Sequence, residues 1–385
     1  MTERQKKGRG AMGSLQDRQI AIIGGGVAGL TAALALSRRG ARVTLHERAP
    51  AITEVGAGLQ LSPNAMRVLD ALGLGPELAR ISLRSHAVEL RNMQGARVLR
   101  LDMLAHRPNA EFRLIHRARL IDCLAGAVQA AGVTLRLGSD IQTPPEADLT
   151  IGADGLRSRM RQILNGREAP FFTHQTAWRT VIPDRDATPC AQVFMGPGRH
   201  LVSYPLAGGL RNIVAVMERN AWQEEGWSHQ DDPANLRAAF ADFRGPVPHW
   251  LDAVEQVHIW GLFRHEVARN WQNGHLVLIG DAAHPTLPFM AQGAVMAIED
   301  AWHLAACLDA IPDQPQALSR FEASRRDRTT RIVAAANANA RNYHLTGLRR
   351  LIGHSALRLA DRLAPKLALS RFDWLYDHDP TSEEP

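Results

Sequence analysis

The N-terminal part of the chain alternates between short apolar runs and a stretch of small residues at helical spacing. Residues 18–23 form an apolar run that predicts a buried strand, and residues 42–47 alternate apolar and polar side chains. Between them, residues 28–39 predict a helix that ends at Gly40, a typical residue for a helix C-terminus. Strand, helix and strand in this order predict a β-α-β unit, from which parallel sheets are built.

The pattern changes twice in the rest of the chain. Strands are predicted at 84–102, 133–137, 149–152 and 276–280, and helices at 62–72, 117–131, 293–307, 315–343 and 346–370. Between residues 175 and 217, short apolar runs are separated by Pro and Gly turns, which is typical of an antiparallel sheet. We therefore predict an α/β fold: a doubly wound, Rossmann-like domain with an inserted, mostly antiparallel β-sheet domain and C-terminal helices.

Composition narrows the class of protein. Of the 385 residues, 45% are apolar and 22% are charged, as in an average globular protein. Three cysteines are too few for a disulfide framework, and no Cys/His cluster has zinc spacing, so we expect no metal. The net charge of +6 forms no long basic stripe, so nucleic-acid binding is not expected.

An apolar run near the N-terminus could be mistaken for a membrane span. Residues 20–36 follow a basic segment, but three consecutive glycines, 24–26, interrupt them. The run is also shorter than the roughly 20 residues that a helix needs to cross a bilayer. We expect a cytoplasmic protein with no membrane span and with a disordered basic tail over residues 1–16.

The turn between the first strand and helix carries the first candidate site. Gly24, Gly26 and Gly29 form a GxGxxG pattern, with Ala28 inside it. The first glycine permits a tight turn, the second lets the backbone approach a pyrophosphate, and the third lets the helix pack close to the strand. Glu47 ends the next strand, where a carboxylate accepts hydrogen bonds from a ribose and disfavours a 2′-phosphate. The pattern predicts a dinucleotide site without separating FAD from NAD.

Two further motifs each follow a predicted buried strand. In the later one, Gly280-Asp281 precedes a Pro-rich loop and a helix that starts near Gly293. Asp281 is a candidate for binding ribityl hydroxyls, with the N–H groups of Gly293 and Ala294 facing a flavin pyrimidine, although Asp281 as a helix cap remains an alternative. In the middle motif, residues 152–161, Asp154 is a candidate ligand or a turn cap.

Taken together, the three motifs resemble those of the class A FAD-dependent aromatic monooxygenases, in the branch of salicylate hydroxylase and 6-hydroxynicotinate hydroxylase. Glu47-Arg48-Ala49-Pro50 and the segment His116-Arg117-Ala118-Arg119-Leu120 add to the resemblance. It implies one bound FAD, with NADH or NADPH as a transient reductant that shares Asp154. The implied FAD contacts are Gly24, Gly26, Ala28, Gly29, Glu47, Arg48, Arg117, Asp154, Asp281, Gly293 and Ala294.

The resemblance also implies how the chain is divided. The FAD-binding domain is expected in three parts, at 17–80, 106–170 and 273–310. The substrate domain is expected to take strands from 81–105 and all of 171–272, and the C-terminal helices to fill 311–385. These helices make a homodimer possible.

The chemistry that the resemblance implies is hydroxylation of a small aromatic compound, phenolic or a hydroxy-aromatic acid. In this chemistry NAD(P)H reduces FAD, O2 adds to form a flavin C4a-hydroperoxide, and the ring is hydroxylated. Where a carboxylate lies ortho to the substrate hydroxyl, attack at the carbon that bears it releases CO2. Our candidates for catalysis are His200 and Tyr204, because side chains two apart on a strand share one face with Val202 between them. A base near the substrate hydroxyl would form the more reactive phenolate. A surface histidine beside a core tyrosine is the alternative interpretation.

Other classes of protein fit the sequence less well. A nicotinamide-dependent dehydrogenase explains the glycine turn but not Gly280-Asp281. A flavin-dependent halogenase needs an active-site lysine, and this chain has none between Lys7 and Lys366. The same flavin chemistry on a larger isoprenoid or polyketide substrate, and a non-catalytic flavin-binding regulator, remain open.

Overall fold

The strands of the protein form three sheets, in a computed structural model that describes residues 13–52, 57–185, 187–221 and 229–383. In chain order, the strands are β1 (Gln19–Ile23), β2 (Arg42–Glu47), β3 (Gly58–Leu61), β4 (Ser82–Arg84), β5 (Ala87–Asn92), β6 (Arg97–Asp102), β7 (Arg113–His116), β8 (Thr134–Leu137), β9 (Leu149–Gly152), β10 (Phe171–Pro183), β11 (Cys190–Gly196), β12 (Arg199–Leu206), β13 (Leu210–Glu218), β14 (His229–Asp231), β15 (Val257–Arg264) and β16 (Leu276–Leu278).

The helices cover the sheets and build the C-terminal third of the chain. They are α1 (Val27–Ser37), α2 (Pro63–Ala71), α3 (Gly75–Ile81), α4 (Met103–His106), α5 (Arg117–Ala130), α6 (Arg159–Asn165), α7 (Pro233–Ala239), α8 (Val247–Asp252), α9 (Gly293–Ala310), α10 (Gln314–Tyr343), α11 (Gly347–Leu363), α12 (Pro365–Ser370) and α13 (Asp373–Tyr376).

The first sheet is parallel throughout and has the strand order β16-β9-β1-β2-β8. Its central strand β1 is apolar almost throughout because both of its faces are covered, and Ile20, Ile22 and Ile23 are all buried. The carboxyl ends of parallel strands meet at one edge of a sheet. The turns that follow β1, β9 and β16 therefore lie side by side, and these turns carry the three sequence motifs.

The second sheet has eight strands in the order β14-β15-β10-β13-β12-β11-β5-β6. Every neighbouring pair is antiparallel except β11 and β5, so the predicted mostly antiparallel sheet is confirmed. One face packs against α7 and α8 through Trp178, Phe194 and Phe240. The opposite face carries Val202, Val214 and Val216 and packs against the loop around Phe289 and the end of α10.

A third, small sheet joins the two larger ones. Its strand order is β3-β7-β4, all antiparallel. The amide of Gly58, at the start of β3, donates a hydrogen bond of 2.7 Å to Asn212 Oδ1 on β13. A side chain at Gly58 would collide with Tyr204, so this glycine allows β3 of the small sheet to approach β12 of the eight-stranded sheet closely.

The structure differs from the sequence predictions at three boundaries. The helix predicted over 346–370 is two helices, because Pro365 disfavours a helical conformation at Ala364, which adopts φ −147° and ψ 56°. The strand predicted over 276–280 ends at Leu278, since Gly280 adopts a positive φ of 60°. The predicted disordered tail is too long: residues 1–12 lie outside the described part, but Leu15 is fully buried.

A cluster of charged side chains is buried where α9 meets α10. Arg325 contacts Glu299 at 2.6 Å and Asp300 at 2.8 Å, and all three are completely shielded from solvent. Asp300 also accepts hydrogen bonds from the amide of Gly280 at 2.9 Å and from His284. Burial acts to raise the pKa of Asp300, but His284 and Arg325 outweigh it and lower that pKa to about 2. The buried charges are thus paired with one another, and Asp300 connects them to the late motif through Gly280 and His284.

Substitution of Arg325 by methionine removes the buried cation and keeps an unbranched side chain. We expect Arg325→Met to lower the free energy of unfolding by about 3–5 kcal/mol, because two buried carboxylates lose the fully buried cation that both of them contact. Chemical denaturation measures the difference. Arg80→Ala is the control: Arg80 pairs with Glu77 on an exposed helix surface, and its loss should change stability little. Equal effects of the two substitutions would contradict the importance of the buried cluster.

Candidate functional site

The three motifs meet at the carboxyl edge of the parallel sheet. A Cβ at Gly24 would lie 2.4 Å from the carbonyl oxygen of Ala153, so the first motif touches the middle one. A Cβ at Gly280 would lie 3.1 Å from Ala28 and 3.2 Å from Ala297, so the late motif fits between α1 and α9. Glycine is required at both positions also because each has a positive φ.

The N-terminus of α1 faces open space. A Cβ at Gly26 would meet no atom within 4 Å among the described residues, and no described side chain caps the helix. The free N–H groups of the first turn and the positive end of the helix dipole favour an anionic group here. Gly29 has a different role, since its Cα lies against the carbonyl of Gly24 and leaves no room for a side chain. The close approaches at Gly24 and Gly29 agree with the tight turn and the helix-strand packing predicted for them, and contact between Gly26 and a pyrophosphate stays a prediction.

Glu47 lies beside the glycine turn. Its Oε2 accepts a 2.6 Å hydrogen bond from the amide of Gly25, and its Oε1 accepts one of 2.8 Å from the amide of Ala49. These bonds orient the carboxylate at the end of β2, and each oxygen retains a lone pair for a ribose hydroxyl. The neighbouring Arg48 is exposed to solvent.

Asp281 follows Gly280 in the late motif, at the same edge of the parallel sheet. Its side chain reaches solvent, yet the surrounding protein raises its pKa through desolvation, and the nearby His284 and Arg117 partly oppose that rise. Arg117 is half-buried, and its amide donates to the carbonyl of Ala57 at 2.8 Å.

A second helix begins at the cleft. Helix α9 starts at Gly293, and no side chain in the described part of the protein caps its first turn. The first hydrogen bond of the helix comes from the amide of Met296, which leaves the amides of Gly293 and Ala294 without helical partners. Both residues are partly exposed. The cleft therefore has donor groups at two helix N-termini, together with the carboxylates Glu47 and Asp281.

Asp154 caps the start of α6. Its carboxylate accepts hydrogen bonds from the amides of Arg159 at 2.8 Å and Met160 at 3.3 Å, and from the hydroxyl of Ser158. Burial raises the pKa of Asp154, which these hydrogen bonds partly oppose. The structure therefore contains the turn cap that was the alternative interpretation of Asp154. The residue borders the cleft, because the preceding Ala153 contacts Gly24 of the glycine turn.

His284 has a structural role in the same motif. Its Nε2 hydrogen bonds to Asp300, and its ring packs on Trp271, with both partners buried. The interaction fixes the loop after Gly280 without reaching the cleft.

A large apolar cavity lies beyond the cleft, between the eight-stranded sheet and the C-terminal helices. Its volume is about 550 Å³, within the range typical of small-molecule sites. Gln60, Pro288 and Phe289 line it on the side of the cleft, and α10 to α13 close the other side. Strands β5, β6, β11 and β12 supply aliphatic side chains: Val88, Leu90, Leu99, Leu101, Ala191, Val193 and Val202. Arg371 is the one guanidinium or ammonium group among the lining residues of the described chain.

The two predicted catalytic side chains border this cavity without lining it. Val202 lines the cavity, whereas His200 and Tyr204 on either side of it are buried. His200 packs against Phe289 and Tyr343, with ring centroids 5.1 and 5.2 Å apart, and both of these rings line the cavity. Tyr204 packs against Gly58, and burial raises the pKa of its phenol well above the ordinary value.

Three residues near the site were missed by the sequence analysis. His344 forms hydrogen bonds with both His200 and Glu218, and Arg371 lines the cavity. None of the three lies in a sequence motif. The hydrogen-bonded residues are also far apart in the chain, since 144 positions separate His200 from His344. Only the tertiary fold brings Glu218 and His344 next to His200, and Arg371 to the cavity.

Comparisons with known proteins agree with this geometry. A family model described as an FAD binding domain matches residues 17–146 and 145–336. The chain is 36% identical to a 3-amino-4-hydroxybenzoate 2-monooxygenase of Streptomyces platensis, over 93% of this chain and 95% of the relative. It is 31% identical to a 3-hydroxybenzoate 6-hydroxylase of Polaromonas naphthalenivorans, over 94% and 96%. A salicylate hydroxylase structure matches its fold with a TM-score of 0.79 and 23% identity, over 96% and 99%.

The chain therefore belongs to the class A FAD-dependent aromatic monooxygenases, and its cofactor is FAD. The cleft fits this cofactor: open space at Gly26, two uncapped helix N-termini and an accessible Asp281 are the features that a pyrophosphate, a ring system and a polyhydroxyl chain require. None of the helices in the described residues is long and apolar enough to cross a membrane.

A methyl group added at Gly26 tests whether the pyrophosphate of FAD binds at the N-terminus of α1. Gly26→Ala should leave folding intact, because its Cβ meets no described atom within 4 Å, yet weaken FAD binding by at least about tenfold because the methyl group points into the space of the pyrophosphate. Gly126→Ala, on the exposed side of α5, is the matched control, since its Cβ also meets nothing. Titration of the apoproteins with FAD measures both affinities. Unchanged affinity in Gly26→Ala would contradict this placement of the pyrophosphate.

Proposed function

We propose that the protein hydroxylates a hydroxy-aromatic acid, with NADH or NADPH as reductant and O2 as oxidant. The observation that carries this proposal is the cavity, whose apolar walls suit an aromatic ring and whose single guanidinium, on Arg371, suits a carboxylate. The two relatives named above act on hydroxybenzoates, according to their names. The apolar walls shield the reacting ring of an aromatic acid bound here from water.

FAD, once bound, supplies the redox chemistry that activates O2 for transfer to the ring. The residues that hold it are Gly24, Gly26, Ala28, Gly29, Glu47, Arg48, Arg117, Asp154, Asp281, Gly293 and Ala294. In this assignment, Asp154 keeps its capping bonds and offers its remaining lone pairs to the cofactor or the reductant. Glu47 and Asp281 accept from hydroxyl groups, and the helix N-termini donate to anionic or carbonyl oxygens.

His200 and Tyr204 act on the hydroxyl group of the substrate. His200 is neutral near pH 7, because burial lowers its pKa well below the ordinary value, so it is able to accept a proton. Tyr204 remains protonated and donates a hydrogen bond. Since Phe289 covers His200 on the cavity side, we infer that its ring moves aside when the substrate binds. Phe289 lies in a short 3-10 turn that ends at Ala291 in a left-handed conformation, with φ 54°.

The size of the cavity favours a substrate larger than a single-ring acid. Its walls continue along α11 and α12 past Leu357, Ala360 and Leu367, further than a single-ring acid needs. A bulkier apolar aromatic acid, closer to the larger-substrate alternative, would fill this space. The homodimer and the cytoplasmic location expected from the sequence also remain proposals, which light scattering and cell fractionation test.

A substrate panel tests the function. FAD-loaded protein is mixed with NADH or NADPH and with hydroxybenzoates, hydroxypyridine carboxylates or bulkier phenolic acids, and nicotinamide oxidation, O2 uptake and products are measured. We expect one acid to stimulate oxidation and to be hydroxylated in matching amount. FAD-loaded protein that hydroxylates no aromatic compound would contradict the proposal and favour a regulator.

Arg371→Met tests the contact with the carboxylate. We expect KM for the acid substrate to rise by at least about tenfold, because a charge-assisted hydrogen bond is lost, while the corresponding phenol without a carboxylate is affected little. Arg362→Met, at an exposed position of α11 outside the cavity lining, is the control. If Arg371→Met leaves KM for the acid unchanged, the carboxylate binds elsewhere.

A further inference from the structure

Glu218, His344 and His200 form a hydrogen-bonded row from the protein surface to the buried face of the eight-stranded sheet. The side chain of Glu218 is 55% exposed and that of His344 is 3% exposed. Glu218 Oε1 lies 2.7 Å from His344 Nδ1, and His344 Nε2 lies 2.7 Å from His200 Nδ1. The last nitrogen, His200 Nε2, is buried without a hydrogen-bond partner in the described structure.

Strand pairing explains how the row is built. His200 on β12 pairs with Val216 on β13, and Glu218 is two residues further along β13, so all three side chains lie on one face. His344 caps the C-terminus of α10, which packs on that face through Ala340 and Tyr343. The two histidines and the carboxylate are thus held by three different elements. An unpartnered buried nitrogen at the end of such a row is costly unless a ligand uses it.

Counting donors and acceptors determines the tautomers of both histidines. An ionised Glu218 only accepts, so His344 Nδ1 carries the proton and donates it. The neutral His344 ring then has its lone pair on Nε2 and accepts from His200 Nδ1–H. His200 is left with its lone pair on Nε2, in a ring that packs against Phe289 and Tyr343, both of which line the cavity. This is the form of histidine that accepts a proton.

We propose that Glu218 and His344 are positioning residues for His200, which hold its Nε2 ready for the substrate hydroxyl and pass the hydroxyl proton to solvent. This inference rests on the function proposed above. The O–H bond of the substrate breaks and its proton binds His200 Nε2, while His200 Nδ1–H moves to His344 Nε2. His344 Nδ1–H moves to Glu218, whose exposed carboxyl group releases a proton to water. One proton leaves the substrate and one enters solvent, with no oxidant or reductant involved.

Glu218 is the charged group that controls the protonation of the row. From α10, the Tyr343 phenol packs on the His200 ring, and burial raises its pKa well above the ordinary value, so it remains uncharged. The late-motif loop contributes the apolar Phe289. Burial lowers the pKa of His344 and Glu218 acts to raise it, which ties the charge of the ring to the state of the carboxylate.

Nitrogen-15 NMR of the FAD-loaded, substrate-free protein tests the tautomer directly. Histidine is labelled, and the His200 signal is assigned by its loss in His200→Gln. We expect Nδ1-protonated His200 in the wild type and in His344→Gln, whose amide oxygen still accepts, but a mixture of tautomers in His344→Leu. An Nε2-protonated His200 in the wild type, or an unchanged tautomer in His344→Leu, would overturn the proposal. Because no turnover is needed, this result stands even if the proposed reaction fails.

Steady-state hydroxylation tests the transfer of the proton. We expect Glu218→Gln and His344→Gln to lower kcat by at least about tenfold with KM changed less than about twofold, because the row no longer reaches solvent. Asp242→Asn is the matched control: Asp242 is 48% exposed and accepts from Arg199, the neighbour of His200 in β12, but its bond is not part of the row. Wild-type kcat in both relay variants, or an equal loss in Asp242→Asn, would refute the proton path.

Discussion

Asp300 is a buried carboxylate on which distant parts of the molecule converge. It accepts from the amide of Gly280 in the late motif, from His284 four residues further on, and from Arg325 of α10. Its neighbour Glu299 accepts from Asn64 of α2 and from Arg328 of α10. Because each lost partner weakens the compensation of a buried charge, separate movement of these elements is costly. The position of Asp281, one residue after Gly280, is set by this cluster.

The same cluster reaches the substrate side of the molecule. Arg328 also donates to the carbonyl groups of Trp374 and Leu375, which holds α13 against the body of the protein. The neighbouring Phe372 and Tyr376 line the cavity. The residues that hold the late-motif loop therefore also hold one wall of the cavity, and Pro288, Phe289 and Met290, which follow that loop, line the cavity.

The sequence predicted those parts of the fold and site that depend on local pattern. Gly24, Gly26 and Gly29, the parallel strands and the mostly antiparallel insertion follow from spacing and periodicity, and the family was identified from three motifs. The sequence did not reveal Arg325, because a long arginine-rich helix pattern gives no sign of which side chain becomes buried. It did not reveal His344 or Arg371, because each lies at the end of a helix and meets its surroundings only through the tertiary fold. The burial of Leu15 was also missed, since one leucine in a polar segment resembles a disordered tail. The break at Ala364 was missed although Pro365 marks it.

The most direct test of this account is the affinity of FAD for the Asp300→Asn protein compared with the wild type, with folding of both confirmed by circular dichroism. Asparagine has the size of aspartate and lacks its charge, so the support of Gly280 is weakened without a change of volume. The account predicts that wild-type apoprotein binds one FAD per chain and that Asp300→Asn binds it at least about tenfold more weakly. Equal affinity in the two folded proteins would show that the buried cluster does not hold the cofactor site, and would contradict the account.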